Sequence, residues 1–390
     1  MSTRRGPMDL RKRSYASVIS GIVHPCHLLA VEVSIVNIQP LRRRIAHSAM
    51  ELFFGANKRA VELPGLLPGQ GIQRILICRI SHSLGNTLLI TPLIREIEAC
   101  FPGAQIDVLT RSAVSDAIFG TFFSVGNNFR LPAHGFRHPL RWLEVLRGIR
   151  RTHYDLVIDP CLRSQTGRLM LLLAKSRFKL GFSDERAGTT LTHVVDAPTI
   201  PMPVGQLPVF LLRSALGVVA PRAYPVPDLA LTGTEHQQGR AALGRLTARF
   251  AGNNEKPGVI GIFANATGHK LLGNEWWRKF MAALEPHCGA YSLVEIVPMS
   301  GKSLLDERYP AYYSSDIRKL ASVLSGLSRF ISADCGIMHL ACASGAPVTG
   351  IFTVTDAAEW GPYGPNDRVV LAQDLSPAQV AERIAAQLVA

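Results

Sequence analysis

The chain has 390 residues, 47% of them apolar, which suffices for two domains with real cores and excludes a disordered or collagen-like class. Its formal net charge of +13 favours anionic partners: phosphorylated substrates, an acidic membrane surface or nucleic acid. No zinc-finger spacing, RNP-like run or helix-turn-helix signature supports nucleic acid. The seven cysteines are scattered, odd in number and without a CxxC, which argues against disulfides and a zinc site and fits a reducing cytosol.

Residues 1–70 hold ten Lys or Arg against four Asp or Glu and read as a basic N-terminal extension. The segment 16–36 is interrupted by His24, Pro25, His27 and Glu32, so it is too broken for a membrane span and lacks the clean apolar run of a signal peptide. It reads as a poorly ordered leader. Leu41 to Ala60 has helical spacing, with Leu41, Ile45, Ala49, Leu52 and Ala56 on one side and Arg42, Arg43, Arg44, Lys58 and Arg59 near its ends. Such a helix either lies in a membrane interface with its cations toward acidic headgroups or packs on its own domain with a solvated basic face. Pro64, Gly65, Pro68, Gly69 and Gly71 end it.

From Arg74 the pattern becomes regular. A continuous apolar strand (74–80) leads into the loop 81–86, a helix from Thr87 to Cys100, a strand (105–110), a helix (140–151) and a strand (154–160). A second series has strands at 259–264, 292–299, 329–334 and 347–353, and helices at 274–284, 316–325 and 336–344. Residues 218–257, rich in Pro, Gly, Asn and charge, read as the connection that holds the hinge. Ser376, Pro377 and Gln379 give the last helix a capping box, and Val380, Ile384 and Leu388 give it one apolar stripe. Two open α/β domains facing across a cleft place a ligand at the carboxyl ends of their strands.

The richest chemistry lies in 331–365. A strand ends at Asp334, and Cys335-Gly336 opens a helix whose free N–H groups and dipole suit a diphosphate. Gly336 gives a ligand close access to the backbone, Asp334 is placed to bind sugar hydroxyls, and His339, one turn on, faces either the site or the core. In 263–284, Ala266-Thr267-Gly268 supplies backbone donors and Lys270 a point charge for the same diphosphate, against the plainer reading of a solvated loop lysine. His269 reads as solvated. No GxSxG elbow, P-loop, HExxH or GxGxxG occurs.

Taken whole, 331–365 resembles the C-terminal signature of the heptosyltransferases, glycosyltransferase family 9. Asp334, Gly336, His339 to Ala341, Gly345, Pro347, Val348, Thr355, Asp356 and Trp360 to Gly364 follow its order. In 263–284, Lys270 and Trp277 fall on the family's phosphate-binding lysine and helix tryptophan. The stretch 74–110, with Gly85, Thr91-Pro92 and Phe101-Pro102, is similar to the family's opening strand, loop and helix.

The resemblance covers roughly residues 74–370 and implies an α/β, GT-B fold: two Rossmann-like domains with parallel sheets facing across a cleft. The expected divisions are an extension (1–70), an acceptor-side domain (71–220), a linker (221–257), a nucleotide-sugar domain (258–375) and a terminal helix (376–390). It implies inverting transfer of a sugar from a nucleotide-diphosphate donor, most often ADP-heptose, with no cofactor and no metal. The acceptor it implies is an anionic glycolipid of the lipopolysaccharide-core type, met in the cytoplasm at the inner-membrane face. Thr267, Lys270, Asp334, Cys335, Gly336 and His339 are the donor-side residues it points to, and Gly85 and Arg163 the acceptor-side ones.

The chain departs from the family pattern at Asn86, where Asp commonly follows the loop glycine and serves as the base. An amide orients a hydroxyl but does not take its proton. His82 in the same loop is the leading substitute, with a pKa suited to the task, and it reads equally well as a surface histidine. Asp159, at the end of the strand 154–160, reads as a base or a turn cap. The alternatives are a non-catalytic nucleotide-sugar binder and, more remotely, a nucleic-acid-binding protein.

Overall fold

A computed structural model of the chain describes residues 65–132, 138–183, 190–218, 222–251 and 256–389. The leader segment and the amphipathic helix expected at Leu41 to Ala60 lie outside the described residues.

The first half contains β1 (Arg74–Cys78), α1 (Leu84–Leu88), α2 (Thr91–Cys100), β2 (Gln105–Thr110), α3 (Ser115–Phe119), β3 (Val125–Arg130), α4 (Pro139–Arg151), β4 (Tyr154–Asp159), α5 (Gln165–Leu173), β5 (Ser176–Phe182), β6 (His193–Val195) and α6 (Leu207–Ala215). The second contains α7 (Gly233–Ala251), β7 (Gly258–Phe263), α8 (Asn274–Leu284), β8 (Tyr291–Ile296), β9 (Ala311–Tyr312), α9 (Ile317–Leu324), β10 (Arg329–Ala333), α10 (Gly336–Ala343), β11 (Val348–Phe352), α11 (Ala357–Trp360), β12 (Arg368–Leu371) and α12 (Pro377–Val389).

The strands form two parallel sheets of the same winding, β3-β2-β1-β4-β5-β6 and β12-β11-β10-β7-β8-β9. Each reverses direction once, between β1 and β4 and between β7 and β10. Such a reversal opens a crevice at the carboxyl ends of the two strands. The central strands are buried on both faces, which is why their sequences are near-continuous apolar runs. In the second half, Trp277 and Phe280 of α8 pack with Ile260, Ile262, Val380 and Ile384, so α12 belongs to that core. Its capping box forms as expected: Ser376 N–H donates to Gln379 Oε1 (2.9 Å) and Gln379 N–H to Ser376 Oγ (3.3 Å).

Two elements differ from the sequence reading. The helix expected from Thr87 to Cys100 is broken at Leu89–Ile90 into α1 and α2. Pro92 has no N–H for the Leu88 carbonyl, and Thr91 Oγ1 donates to that oxygen instead (2.7 Å). The stretch 221–257, read as linker, holds the 19-residue α7. A capping box starts it, Glu235 Oε2 accepting from Thr232 N–H (2.8 Å) and Glu235 N–H donating to Thr232 Oγ1 (3.2 Å). The stretch before it is fastened to both halves: Asp228 N–H donates to Thr91 Oγ1 (3.0 Å) and Leu229 N–H to the Ala343 carbonyl (2.8 Å).

Candidate active site between the two sheets

The crevice between β7 and β10 gathers the residues expected on the donor side. After β7 the chain turns through Gly268, whose φ of +63° lies in the left-handed region that glycine tolerates, and brings Lys270 back over β10. Lys270 Nζ stands 2.7 Å from Asp334 Oδ2, and Thr355 Oγ1 donates to the same oxygen (2.5 Å). The Asp334 side chain is 5% exposed and that of Lys270 32%, so the carboxylate is sunk and the ammonium reaches the surface. The sequence reading gave these two residues separate ligands, whereas here they are partners. His339 is buried behind them. Burial lowers its pKa to about 4, the Lys270 charge acting the same way and the Asp334 carboxylate opposing, so the ring is neutral at pH 7. Cys335 precedes the first turn of α10 in extended conformation, its Sγ 3.3 Å from Ser332 Oγ, and burial pushes its thiol pKa up. Thr267 and His269 are exposed on the turn before Lys270.

The start of α1 rests on the start of α10. A Cβ on Gly85 would lie 2.8 Å from His339 Cδ2, and one on Gly336 would lie 3.3 Å from Leu84 Cβ. On the side where a Cβ would stand, Gly336 therefore faces Leu84 and Gly85. The glycine pair lets the two halves meet backbone to backbone, and it sets the crevice between β7 and β10 beside the one between β1 and β4.

That second crevice is a cavity of about 600 Å³ whose lining includes Arg79, Asn86, Cys161, Arg163, Ile200 and Trp360. Arg79 organises its floor. Its Nη2 donates to Asn86 Oδ1 (2.9 Å), its Nε to the Asn86 carbonyl (3.4 Å) and its Nη1 to Cys161 Sγ (2.9 Å). Among the described residues Arg79 forms no ion pair, so a guanidinium with neutral partners faces the cavity. Arg163 adds a second, exposed cation. Asp159 lies fully buried beneath this floor. Its Oδ1 accepts from Cys161 N–H (3.2 Å), and Arg168 Nε is 3.9 Å from its Oδ2. Burial raises its pKa to about 6, with Arg168 the main opposing influence. It therefore holds the Cys161 turn, the second of the two roles the sequence left open.

His82 is exposed and stands outside the cavity lining. The second half of the chain adds a group that sequence reasoning missed: Glu359 of α11, exposed and on the cavity wall, whose carbonyl accepts from Val204 N–H (2.8 Å). It stands immediately before the Trp360 to Gly364 run, which was its available signal. Arg79 was hidden in the strand reading of 74–80, although a cation closing an apolar strand run was there to be seen. Among the described residues, no group of three or more His, Cys, Asp or Glu is arranged to hold a metal ion.

Residues 314–388 match glycosyltransferase family 9 (heptosyltransferase), a span that runs through α9 to α12 and includes Asp334, Gly336, His339 and Glu359. No curated protein matches the chain. Among solved structures, the chain is similar to E. coli heptosyltransferase WaaC with ADP, at 19% identity over 81% of this chain and 100% of that one, with a TM-score of 0.62. The glycosyl transferase family 9 from Veillonella parvula gives 14% identity over 81% and 97%, with a TM-score of 0.67. E. coli ADP-heptose lps heptosyltransferase II gives 17% identity over 81% and 99%, with a TM-score of 0.60. The resemblance seen in the sequence therefore stands: the chain has the GT-B fold of the heptosyltransferases and, in its C-terminal part, the mark of glycosyltransferase family 9.

Proposed function

We propose that the protein is an inverting glycosyltransferase that moves a heptose from ADP-heptose, or another nucleotide-diphosphate sugar, to a lipopolysaccharide-core or related glycolipid. The observation that carries this reading is the junction of two switch-point crevices at the Gly85–Gly336 contact, with Lys270 and Asp334 on one side and the Arg79-floored cavity on the other. The donor is suggested by the ligands named for WaaC, ADP and ADP-2-deoxy-2-fluoro heptose. An acceptor hydroxyl in the cavity attacks the anomeric carbon. The new C–O bond forms as the bond to the diphosphate oxygen breaks, and the diphosphate leaves with the electron pair.

In this reading Lys270 and the start of α10, with Thr267, Cys335 and Gly336 beside them, offset the charge that develops on the leaving diphosphate, and Asp334 and His339 shape the pocket around it. Arg79, Asn86 and Arg163 hold the acceptor next to Gly85. Two groups compete for the hydroxyl proton, Glu359 on the cavity wall and His82 in the loop before α1. Transfer proceeds without a metal, at the cytoplasmic face of the inner membrane, and nucleic acid has no part in it.

The test is a thermal-shift panel of ADP-, UDP-, GDP- and CMP-sugars and the free nucleotides, followed by transfer assays with the sugar that stabilises the protein, in the presence of EDTA. Stabilisation by one diphosphate sugar with EDTA-resistant transfer is expected. Folded protein that responds to none of them overturns the reading. Asn86 favours a second reading, a nucleotide-sugar binder without transfer. It predicts stabilisation without turnover, with turnover still absent in Asn86→Asp.

A further inference from the structure

We infer that the projecting start of α4 docks on an anionic phospholipid bilayer and turns the mouth of the cavity toward it. The connection to the cavity rests on the glycolipid-acceptor reading above. The docking itself rests on the shape and charge of α4.

In a parallel sheet the helix between β3 and β4 starts at the carboxyl end of the strands, the end that opens the cavity. Gly148 of α4 already lies against Phe129, the next-to-last residue of β3, since a Cβ there would be 2.8 Å from the Phe129 ring. The eight residues before Gly148 add about 12 Å of helix at 1.5 Å per residue. The first two turns of α4 therefore extend past the carboxyl edge of the sheet. Only Ile149 of α4 is buried. Trp142, Val145 and Leu146 pack on the core from one side, and Leu140 (79% exposed) and Leu143 (42% exposed) stand on the other in water.

Two exposed leucines on a projecting helix tip are costly in water unless something covers them. The charge around them says what does. Arg141 and Arg147 are exposed beside the two leucines, against Glu144, while Arg150 and Arg151 follow Gly148 on the part of the helix that lies along the sheet. Cationic side chains flanking apolar ones, on a helix too short and too polar to cross a membrane, suit a surface of acidic headgroups over acyl chain. Ile200, 75% exposed, belongs to the cavity lining, so the cavity has an apolar element at its own rim. A bilayer touching α4 would then supply a lipid-anchored acceptor without its leaving the membrane.

The experiment is co-sedimentation of the full chain with vesicles of pure phosphatidylcholine and of phosphatidylcholine mixed with phosphatidylglycerol. Three variants accompany the wild type: Leu140→Glu with Leu143→Glu, Arg141→Glu with Arg147→Glu, and, as a comparator in the basic extension, Arg42→Glu with Arg43→Glu and Arg44→Glu. The expected result is binding to the phosphatidylglycerol vesicles only, weakened on the order of tenfold or more in each α4 variant. Absence of wild-type binding, equal binding to both vesicles, or loss confined to the extension variant overturns the inference. So does a loss of self-association in the α4 variants with vesicle binding intact, which would make this face an interface between copies. Transfer to a water-soluble acceptor is expected to be unchanged in the α4 variants. If wild type transfers nothing, the proposed function fails while the vesicle result still decides the docking.

Discussion

Lys270 Nζ and Asp334 Oδ2 are 2.7 Å apart although 64 residues separate them in the chain. One follows β7 and the other β10, the two strands between which the second sheet changes direction. The sunken carboxylate fixes the ammonium at this switch point, and under the proposed function that cation stands in place before an anionic ligand arrives.

Removing either partner has a different expected effect. Lys270→Ala leaves a buried carboxylate without its cation. The partly exposed lysine itself contributes little, and the stability cost comes from the sunken carboxylate, which keeps only the Thr355 hydroxyl as donor to Oδ2. Its main effect is on the ligand: stabilisation by a nucleotide diphosphate disappears, and kcat falls by about 10²–10³. Asp334→Asn releases the ammonium, so binding of free nucleotide diphosphate is kept or tightened while transfer declines. Thermal shifts with the free nucleotide, measured beside steady-state rates, separate the two variants. Equal behaviour of the pair would show that the salt bridge only holds the fold.

The contact of α1 with α10 depends on two missing side chains. Gly85→Ala places a methyl 2.8 Å from the buried ring of His339, which has little room to move, and is expected to cost about 1–3 kcal/mol in urea denaturation. Gly336→Ala meets Leu84 Cβ at 3.3 Å and should cost less. His339→Ala combined with Gly85→Ala should recover part of the loss, because the second change removes what the first collides with. Additive losses would mean that this contact is not what Gly85 is needed for.

The sequence could show the sheets because strands buried on both faces have no polar alternation. β1, β4 and β10 carry stretches of adjacent apolar residues, and α12 begins at a visible capping box. It could not show α7, because Gly239 and Gly244 look like breakers. Gly239 is there because the Ser322 carbonyl of α9 presses on it, so closely that no Cβ would fit. β3, with Gly126, Asn127 and Asn128, is an edge strand with little apolar signal. At the site, Lys270 and Asp334 were each visible as chemistry, but their pairing was not, since it comes from the order of strands. The same holds for Glu359, which reaches the cavity wall from the other half of the chain.

Two buried groups give opposite pH dependences that mask each other. Asp159 has a folded pKa of about 6, above its unfolded value near 3.8. The folded state therefore holds its proton longer, and stability falls as pH rises from about 4 to 6. His339 has a folded pKa of about 4, below its unfolded 6.5. The unfolded state takes up the proton first, and stability rises with pH from about 4 to 6.5. The two slopes have opposite signs, so the wild type should vary less with pH over this range than either group alone requires. Asp159→Asn leaves the histidine alone and should make stability climb with pH. His339→Asn should make it decline. Denaturant midpoints at a series of pH values test both. Parallel profiles in the two variants would show that neither group titrates as its burial requires.

Asn86 accepts a hydrogen bond from Arg79 at 2.9 Å, and this limits what an acid at position 86 would achieve. The carboxylate introduced by Asn86→Asp would pair with the guanidinium, which holds its pKa down, weakens it as a base and cancels the charge that Arg79 turns to the cavity. The expected result is a higher KM for an anionic acceptor, by about tenfold, with no gain in kcat. Arg79→Gln should raise the same KM without changing the response to nucleotide. The proton then has to go elsewhere. Glu359→Gln is expected to lower kcat by about 10²–10⁴, while His82→Ala, whose ring lies outside the cavity lining, leaves kcat nearly unchanged. The reverse outcome would return the proton to His82. It would also mean that the loop before α1 folds over the acceptor during the reaction.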